Sequence, residues 1–257
     1  MASSVAPALS TRSLNKSFGS LVVAQDIALE LPQGVRYALI GPNGAGKTTL
    51  MNLMTGMLAP DAGQIFLEEG ENEVEITRLP PHVRVKKGLA RTFQINTLFP
   101  QLSALESVAL AVLEREGHAH NWWRGLPRFG AAIDEAQAIL DSLKVPSTRL
   151  TRELPYGQQR LLEIALALAT RPRVLLLDEP AAGVPRDEST ALFDAIANLS
   201  RELTILFIEH DMQVVFRFAS RILVMVGGRI LVDGTPDEIA RDERVREVYL
   251  GKARAAA

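Results

Sequence analysis

Gly41-Pro42-Asn43-Gly44-Ala45-Gly46-Lys47-Thr48 constrains this chain more than any other stretch, because it fits the pattern G-x-x-x-x-G-K-[ST]. The apolar run Val35–Ile40 precedes it and reads as a strand. From Lys47 the spacing of Leu50, Met51, Leu53 and Met54 turns helical, and Gly56 stands where a helix C-terminus favours glycine. A strand that passes into a helix through such a loop lets backbone N–H groups converge on an anion, and the helix dipole adds to the attraction. The expected phosphate site is therefore Gly41, Pro42, Asn43, Gly44, Ala45, Gly46, Lys47 and Thr48, with Thr49 in the first helical turn. Lys47 supplies a charge for terminal phosphates, and the Thr48 hydroxyl is a candidate Mg2+ ligand. A glycine-rich turn that matches by chance is the plain alternative, and the strand–loop–helix context argues against it.

A second cluster complements the first. Val174–Leu177 is an apolar strand that runs into Asp178 and Glu179. In an open α/β sheet, ligands gather at the carboxyl ends of the strands. Successive residues of a strand point to opposite faces, so the two acids can take separate tasks. Asp178 is expected to serve Mg2+, usually through water, and Glu179 to polarise a water aimed at a terminal phosphate. Strands at Arg173–Leu177, Thr204–Ile208 and Ile222–Val226 alternate with helical patterns at Gln158–Ala169, Asp187–Arg201 and Asp211–Phe218. That rhythm predicts a parallel sheet covered on both faces.

The rest of the chain is organised around this core. Leu14–Glu30, Gln64–Leu67 and Glu73–Ile76 read as strands, and Pro32-Gln33-Gly34 as a turn. From Gln94 to about Pro155 strand signals fade. Ser103-Ala104-Leu105-Glu106 forms a capping box, and a second helix is expected over Ala131–Leu143, so the block reads as a helical insertion. Trp122-Trp123-Arg124 lies in the loop between them, read as a pinned loop or as an interfacial contact. His118 and His120 lack a third metal ligand nearby and read as a solvated loop.

Composition narrows the function. The 257 residues suit one to two domains of about 150 residues. Lys and Arg total 28 against 30 for Asp and Glu, a net charge of -2, so nucleic acid is not an expected partner. With no cysteine, thiolate catalysis, thiolate zinc sites and disulfides are excluded. The longest apolar run, Leu161–Ala169, is interrupted by Glu163, and no bilayer-spanning helix is expected. The start carries no secretory pattern, and a cytoplasmic location is the default.

Further elements in order make the chain resemble the ATP-binding subunits of ABC transporters. They are Phe18, which lies 23 residues before Gly41, Gln94 in Arg91-Thr92-Phe93-Gln94, Leu154-Pro155-Tyr156-Gly157-Gln158-Gln159-Arg160, Ala182-Gly183-Val184-Pro185, and His210 in Ile208-Glu209-His210-Asp211. The resemblance spans essentially the whole chain. It is closest to the branched-chain amino acid importer branch, through Asp178-Glu179-Pro180-Ala181-Ala182-Gly183, Glu209-His210-Asp211-Met212 and the ending Tyr249-Leu250-Gly251.

The resemblance implies an α/β fold: a P-loop NTPase core with a mixed or parallel sheet, an antiparallel β subdomain and an inserted α-helical subdomain. Its divisions would be residues 1–93 and 157–232 for the core, 94–156 for the helical subdomain and 233–257 for C-terminal helices. It also implies a head-to-tail pair with a second ATP-binding subunit, identical or not. Each ATP would sit between the phosphate loop of one copy and Leu154, Tyr156, Gly157 and Gln158 of the other. Phe18 would stack on adenine, Gln94 would touch Mg2+ and the attacking water, and His210 would contact the terminal phosphate. Partners would be transmembrane permease subunits, docked near Thr97, Leu98 and Phe99, with a periplasmic solute-binding protein acting indirectly. The location would be the cytoplasmic face of the membrane, held peripherally. The solute would be a branched-chain amino acid or a related small molecule. A lipid-exporter ATPase, a soluble ATPase of the same fold and a module without turnover are the alternatives.

Two departures from the family pattern stand out. Pro155 replaces the signature serine and Tyr156 the first signature glycine, which removes a hydroxyl and an N–H expected to face the partner's nucleotide. Losing one hydrogen bond to a charged group costs about 1.5–3 kcal/mol, so a working but retuned site is expected. Val184-Pro185-Arg186 stands where the importers tend to have Leu-Asn-Pro.

Overall fold

A computed structural model describes residues 7–70, 72–92, 98–118 and 130–254. Two sheets organise them. The first is antiparallel, with order β2-β1-β4-β5: β1 (Pro7–Phe18), β2 (Leu21–Pro32), β4 (Ala62–Glu69) and β5 (Asn72–Glu75). The second has order β10-β9-β3-β8-β7-β6: β3 (Arg36–Ile40), β6 (Leu89–Arg91), β7 (Val174–Asp178), β8 (Thr204–Ile208), β9 (Arg221–Val226) and β10 (Arg229–Gly234). Within it β6, β7, β8, β3 and β9 run parallel, and β10 closes the edge antiparallel to β9.

The period-2 geometry of a strand explains why its central strands are apolar throughout. Ala38, Ile40, Leu175, Leu177, Ile205, Phe207, Ile222 and Val224 join a core on one face. Their neighbours Tyr37, Leu39, Val174, Leu176, Leu206, Ile208, Leu223 and Met225 join the core on the other. The first face also takes α3 (Ala104–Arg115), α4 (Gly130–Ser142), α5 (Tyr156–Leu168) and α6 (Arg186–Ala197). The second takes α1 (Lys47–Thr55) and the antiparallel sheet. The expected capping box of α3 is present, with Ser103 and Glu106 each accepting from the other's backbone N–H. Further helices are α2 (Pro81–Lys86), α7 (Met212–Phe218), α8 (Pro236–Arg241) and α9 (Glu243–Arg254).

Four strands and helices escaped the pattern reading, among them β10, which is defined by its ladder to β9. β1 begins at Pro7, well before Leu14, because its first half is recognised only by pairing with β2 and β4. β6 is three residues long and is defined by its ladder to β7. α2 has six residues, too few for helical periodicity to show.

Arg84 on α2 is fully buried and ties α2 to the C-terminal end of α1. Its guanidinium donates to the carbonyls of Leu53 at 2.9 Å, Met54 at 2.6 Å, Thr77 at 2.7 Å and Leu79 at 2.8 Å. Burial pushes its pKa down to about 10.

Candidate functional site

The loop between β3 and α1 is shaped by its glycines. Gly46 caps α1 with a φ of 104°, and a side chain there would meet the Val23 carbonyl at 2.2 Å. The loop therefore packs against β2 at a point where only glycine fits. Lys47 follows, nearly buried, and its ammonium bridges the Gly41 carbonyl at 2.8 Å and the Pro42 carbonyl at 3.1 Å. Burial lowers the Lys47 pKa, while the charges of Glu179 and Asp178 pull it back up. Two neutral carbonyls are weak partners for a buried cation, so an anion entering the loop offers Lys47 a stronger one.

A cleft of about 360 Å³ opens over this loop, lined by Leu21, Val23, Asn43, Gly44, Ala45, Gly46, Lys47, Thr48, Thr49, Glu179 and His210. Residues from four separate parts of the sequence thus converge on one cavity. Asp178 ends β7 beneath it, and its carboxylate meets the Arg91 guanidinium at 2.6 Å with both side chains buried. Arg91 also donates to Asn52 on α1 at 2.6 Å. Glu179 adopts a φ of 50°, a conformation costing a non-glycine residue about 1–3 kcal/mol. Its carboxylate lies 2.7 Å from His210 Nε2 across the cleft mouth. Behind them the buried Glu209 accepts from the Ala181 N–H at 3.2 Å and the His210 N–H at 3.1 Å. Burial pushes the Glu209 pKa up.

The residues expected to serve a partner's nucleotide stand elsewhere, at the start of α5, and none lines this cleft. A 3-10 turn, Thr151–Glu153, leads into buried Leu154 and then Pro155, which offers α5 no side-chain cap. The Gly157 N–H donates to Glu188 Oε2 of α6 at 3.2 Å. The Tyr156 hydroxyl accepts from Arg160 at 2.6 Å, so it does not stand in for the missing serine hydroxyl in this conformation. Gln158 Oε1 is buried with no hydrogen-bond partner among the described residues.

Phe18, at the end of β1, is exposed and carries the Lys16 ammonium 5.5 Å from its ring centre. It does not line the cleft, where Leu21 and Val23 of β2 provide the apolar wall. Gln94, Thr97, His120, Trp122, Trp123 and Arg124 lie outside the described residues. Arg91, Asn52, Glu209 and Glu188 were missed from the sequence. The available signal for Glu209 was an acid directly after the apolar strand Thr204–Ile208, the same pattern that exposed Asp178.

Comparison with known proteins decides what this cleft belongs to. Residues 24–182, from β2 to the loop after Glu179, match the ABC transporter family. The chain belongs to that family. It is accordingly an ATP-binding, ATP-hydrolysing subunit. Residues 229–255 further match the family described as branched-chain amino acid ATP-binding cassette transporter. The chain is 40% identical to the high-affinity branched-chain amino acid transport ATP-binding protein BraF of Pseudomonas aeruginosa, covering 96% of this chain and 99% of that one. It is 38% identical to LivG of Escherichia coli over the same shares, and 37% identical to the lipopolysaccharide export ATP-binding protein LptB of Acidithiobacillus ferridurans. Its fold superposes with a TM-score of 0.82 on the ADP conformation of an ATP-binding cassette of an ABC transporter, at 29% identity and covering 95% of this chain and 99% of that one. No helix of the described residues is long and apolar enough to cross a membrane.

Proposed function

We propose that this chain powers an importer for branched-chain amino acids or related small solutes, through ATP binding and hydrolysis in a head-to-tail pair. The observation that carries the reading is a division of the machinery. Lys47, Thr48, Glu179 and His210 share one cleft, while Leu154, Tyr156, Gly157 and Gln158 present a separate helix start. One copy holds half of each composite site, and a second copy supplies the other half.

In the proposed cycle, Lys47 leaves the Gly41 and Pro42 carbonyls for the terminal phosphates of ATP. Glu179, already within hydrogen-bond reach of His210, orients and deprotonates the attacking water. The water oxygen bonds to the terminal phosphorus as the bond to the bridging oxygen breaks, leaving ADP and phosphate. Phe18 is proposed to reach the adenine and Gln94 the attacking water.

The donor set suits Mg2+. Among the described residues, no group of three acids or histidines forms a metal cage, and Mg2+ is usually held by one or two protein oxygens plus phosphates and water. The exposed Thr48 fits that pattern, and the Asp178 carboxylate, buried against Arg91, would serve the ion through water. When bound, the ion would neutralise charge on the transferred phosphoryl group. Permease subunits are the proposed membrane partners at the cytoplasmic face, and Phe99, 62% exposed, offers an apolar contact for them. A periplasmic binding protein would deliver the solute.

Glu179→Gln tests the reading. Turnover with the permease subunits is expected to fall by about a hundredfold or more on removing the base. The same variant is expected to run as a dimer on size-exclusion chromatography with ATP and Mg2+. Unchanged turnover, or a monomer under all nucleotide conditions, would overturn it.

A further inference from the structure

Tyr156 is fixed from one side by charge. Arg160, one turn along α5, donates to its hydroxyl at 2.6 Å and lies 5.0 Å from its ring centre. Arg160 is itself buried and paired with Glu163 at 2.8 Å. From the other side the ring meets Gly183. A side chain at Gly183 would sit 3.3 Å from Tyr156 Cε1 and 3.4 Å from its hydroxyl, and Gly183 has a φ of 77°. Gly183 belongs to the turn directly after the catalytic acid, where the Ala182 N–H donates to the Glu179 carbonyl at 3.0 Å and the Val184 N–H to the Ala181 carbonyl at 3.0 Å. The stretch beginning at Glu179 touches the start of α5 a second time at Glu188 and Gly157. The outer face of α5 and the loop of the subunit's own base are thus packed together.

We propose that Tyr156 is a positioning residue that couples the α5 turn offered to the partner's nucleotide to the Glu179 loop of its own subunit. The idea rests on the paired arrangement proposed above. A glycine at position 156 would leave this turn and the loop free to move apart. A ring clamped between Arg160 and Gly183 makes them move as one body, so seating α5 against one nucleotide sets Glu179 over the other.

A double-mutant cycle on the full chain with its permease subunits tests this. Tyr156→Gly is expected to lower kcat about tenfold, with fluorescent ATP binding to the isolated chain unchanged, since its own phosphate loop is untouched. Tyr156→Phe keeps the ring on Gly183 and should retain kcat within about threefold. Gly183→Ala crowds the ring and should also lower kcat. In the Tyr156→Gly background the same substitution should cost clearly less than it does alone. The cycle cancels the strain that alanine meets at Gly183 in either background. Additive losses would overturn the coupling, as would a Phe variant as impaired as the Gly variant. An inactive wild-type chain, with no ATP-dependent pairing of Glu179→Gln, would overturn the paired reading instead.

Discussion

Arg84→Met sets two opposed effects against each other. Removing the guanidinium relieves the burial of a charge whose pKa falls from 12.5 to about 10. At 1.36 kcal/mol per pKa unit, that relief is about 3 kcal/mol. Against it stand four backbone carbonyls, of Leu53, Met54, Thr77 and Leu79, that lose a charged donor. Each such bond contributes about 1.5–3 kcal/mol, for a gross loss of about 6–12 kcal/mol. A buried ion pair can often be replaced by apolar side chains without loss, because both partners leave together. Backbone carbonyls cannot leave. The hydrogen bonds therefore win, and with partial relaxation a net destabilisation of about 3–5 kcal/mol is expected. In urea unfolding followed by far-ultraviolet circular dichroism, the midpoint should fall at an unchanged m-value. A Met variant as stable as the wild type would show that desolvation of the guanidinium outweighs its bonds, and the account of α1 anchoring would fail.

Two other perturbations follow from the charges. Glu135 is held at a pKa of about 2 by hydrogen bonds from Arg115 and Arg171, below its ordinary 4.5. A depressed carboxylate stabilises the fold above the unfolded pKa and loses that contribution as pH falls from about 4.5 towards 2. Because solvent screens part of this cluster, about 1–2 kcal/mol is expected, and Glu135→Gln should flatten the stability–pH curve in that window; an unchanged slope would refute it. Glu188 presents the second case. Its carboxylate occupies the Gly157 N–H, so Glu188→Gln in a Glu179→Gln background should let ATP pair the subunits at severalfold lower concentration. Light scattering across an ATP titration reads this, and an identical midpoint would exclude any competition at that amide.

What the sequence disclosed depended on how local the determinant was. Gly41–Thr48 and Asp178-Glu179 are short strings whose chemistry follows from residue type and neighbouring elements, and the cleft joins the loop to Glu179 and His210. The doubly covered sheet was legible because apolar runs at Val174–Leu177 and Thr204–Ile208 fill both faces. Arg84 was invisible for the opposite reason. Its partners are carbonyls set by chain geometry, and no residue type in the sequence announces a carbonyl cluster. Arg91 escaped similarly, since its pairing with Asp178 depends on β6 lying beside β7. Tyr156 was read as a departure from a pattern, and only the packing against Gly183 shows what fills the place of the lost glycine.

The left-handed backbone at Glu179 links these observations. A strained residue persists where its surroundings hold it on several sides. Here the Glu179 N–H donates to the Ile208 carbonyl at 3.2 Å, its carbonyl accepts from Ala182, and Glu209 gathers the N–H groups of Ala181 and His210. Asp178, the preceding residue, is anchored by Arg91. With the strand end and the following turn both pinned, the chain between them must reverse direction, and that reversal is what brings the acid to the cleft mouth beside His210. The strain of about 1–3 kcal/mol is then the cost of presenting the proposed base outside the sheet from a strand whose side chains are otherwise buried in it. The order of this corner thus comes from the chain's own backbone contacts, gathered from β7, β8 and the turn after Glu179.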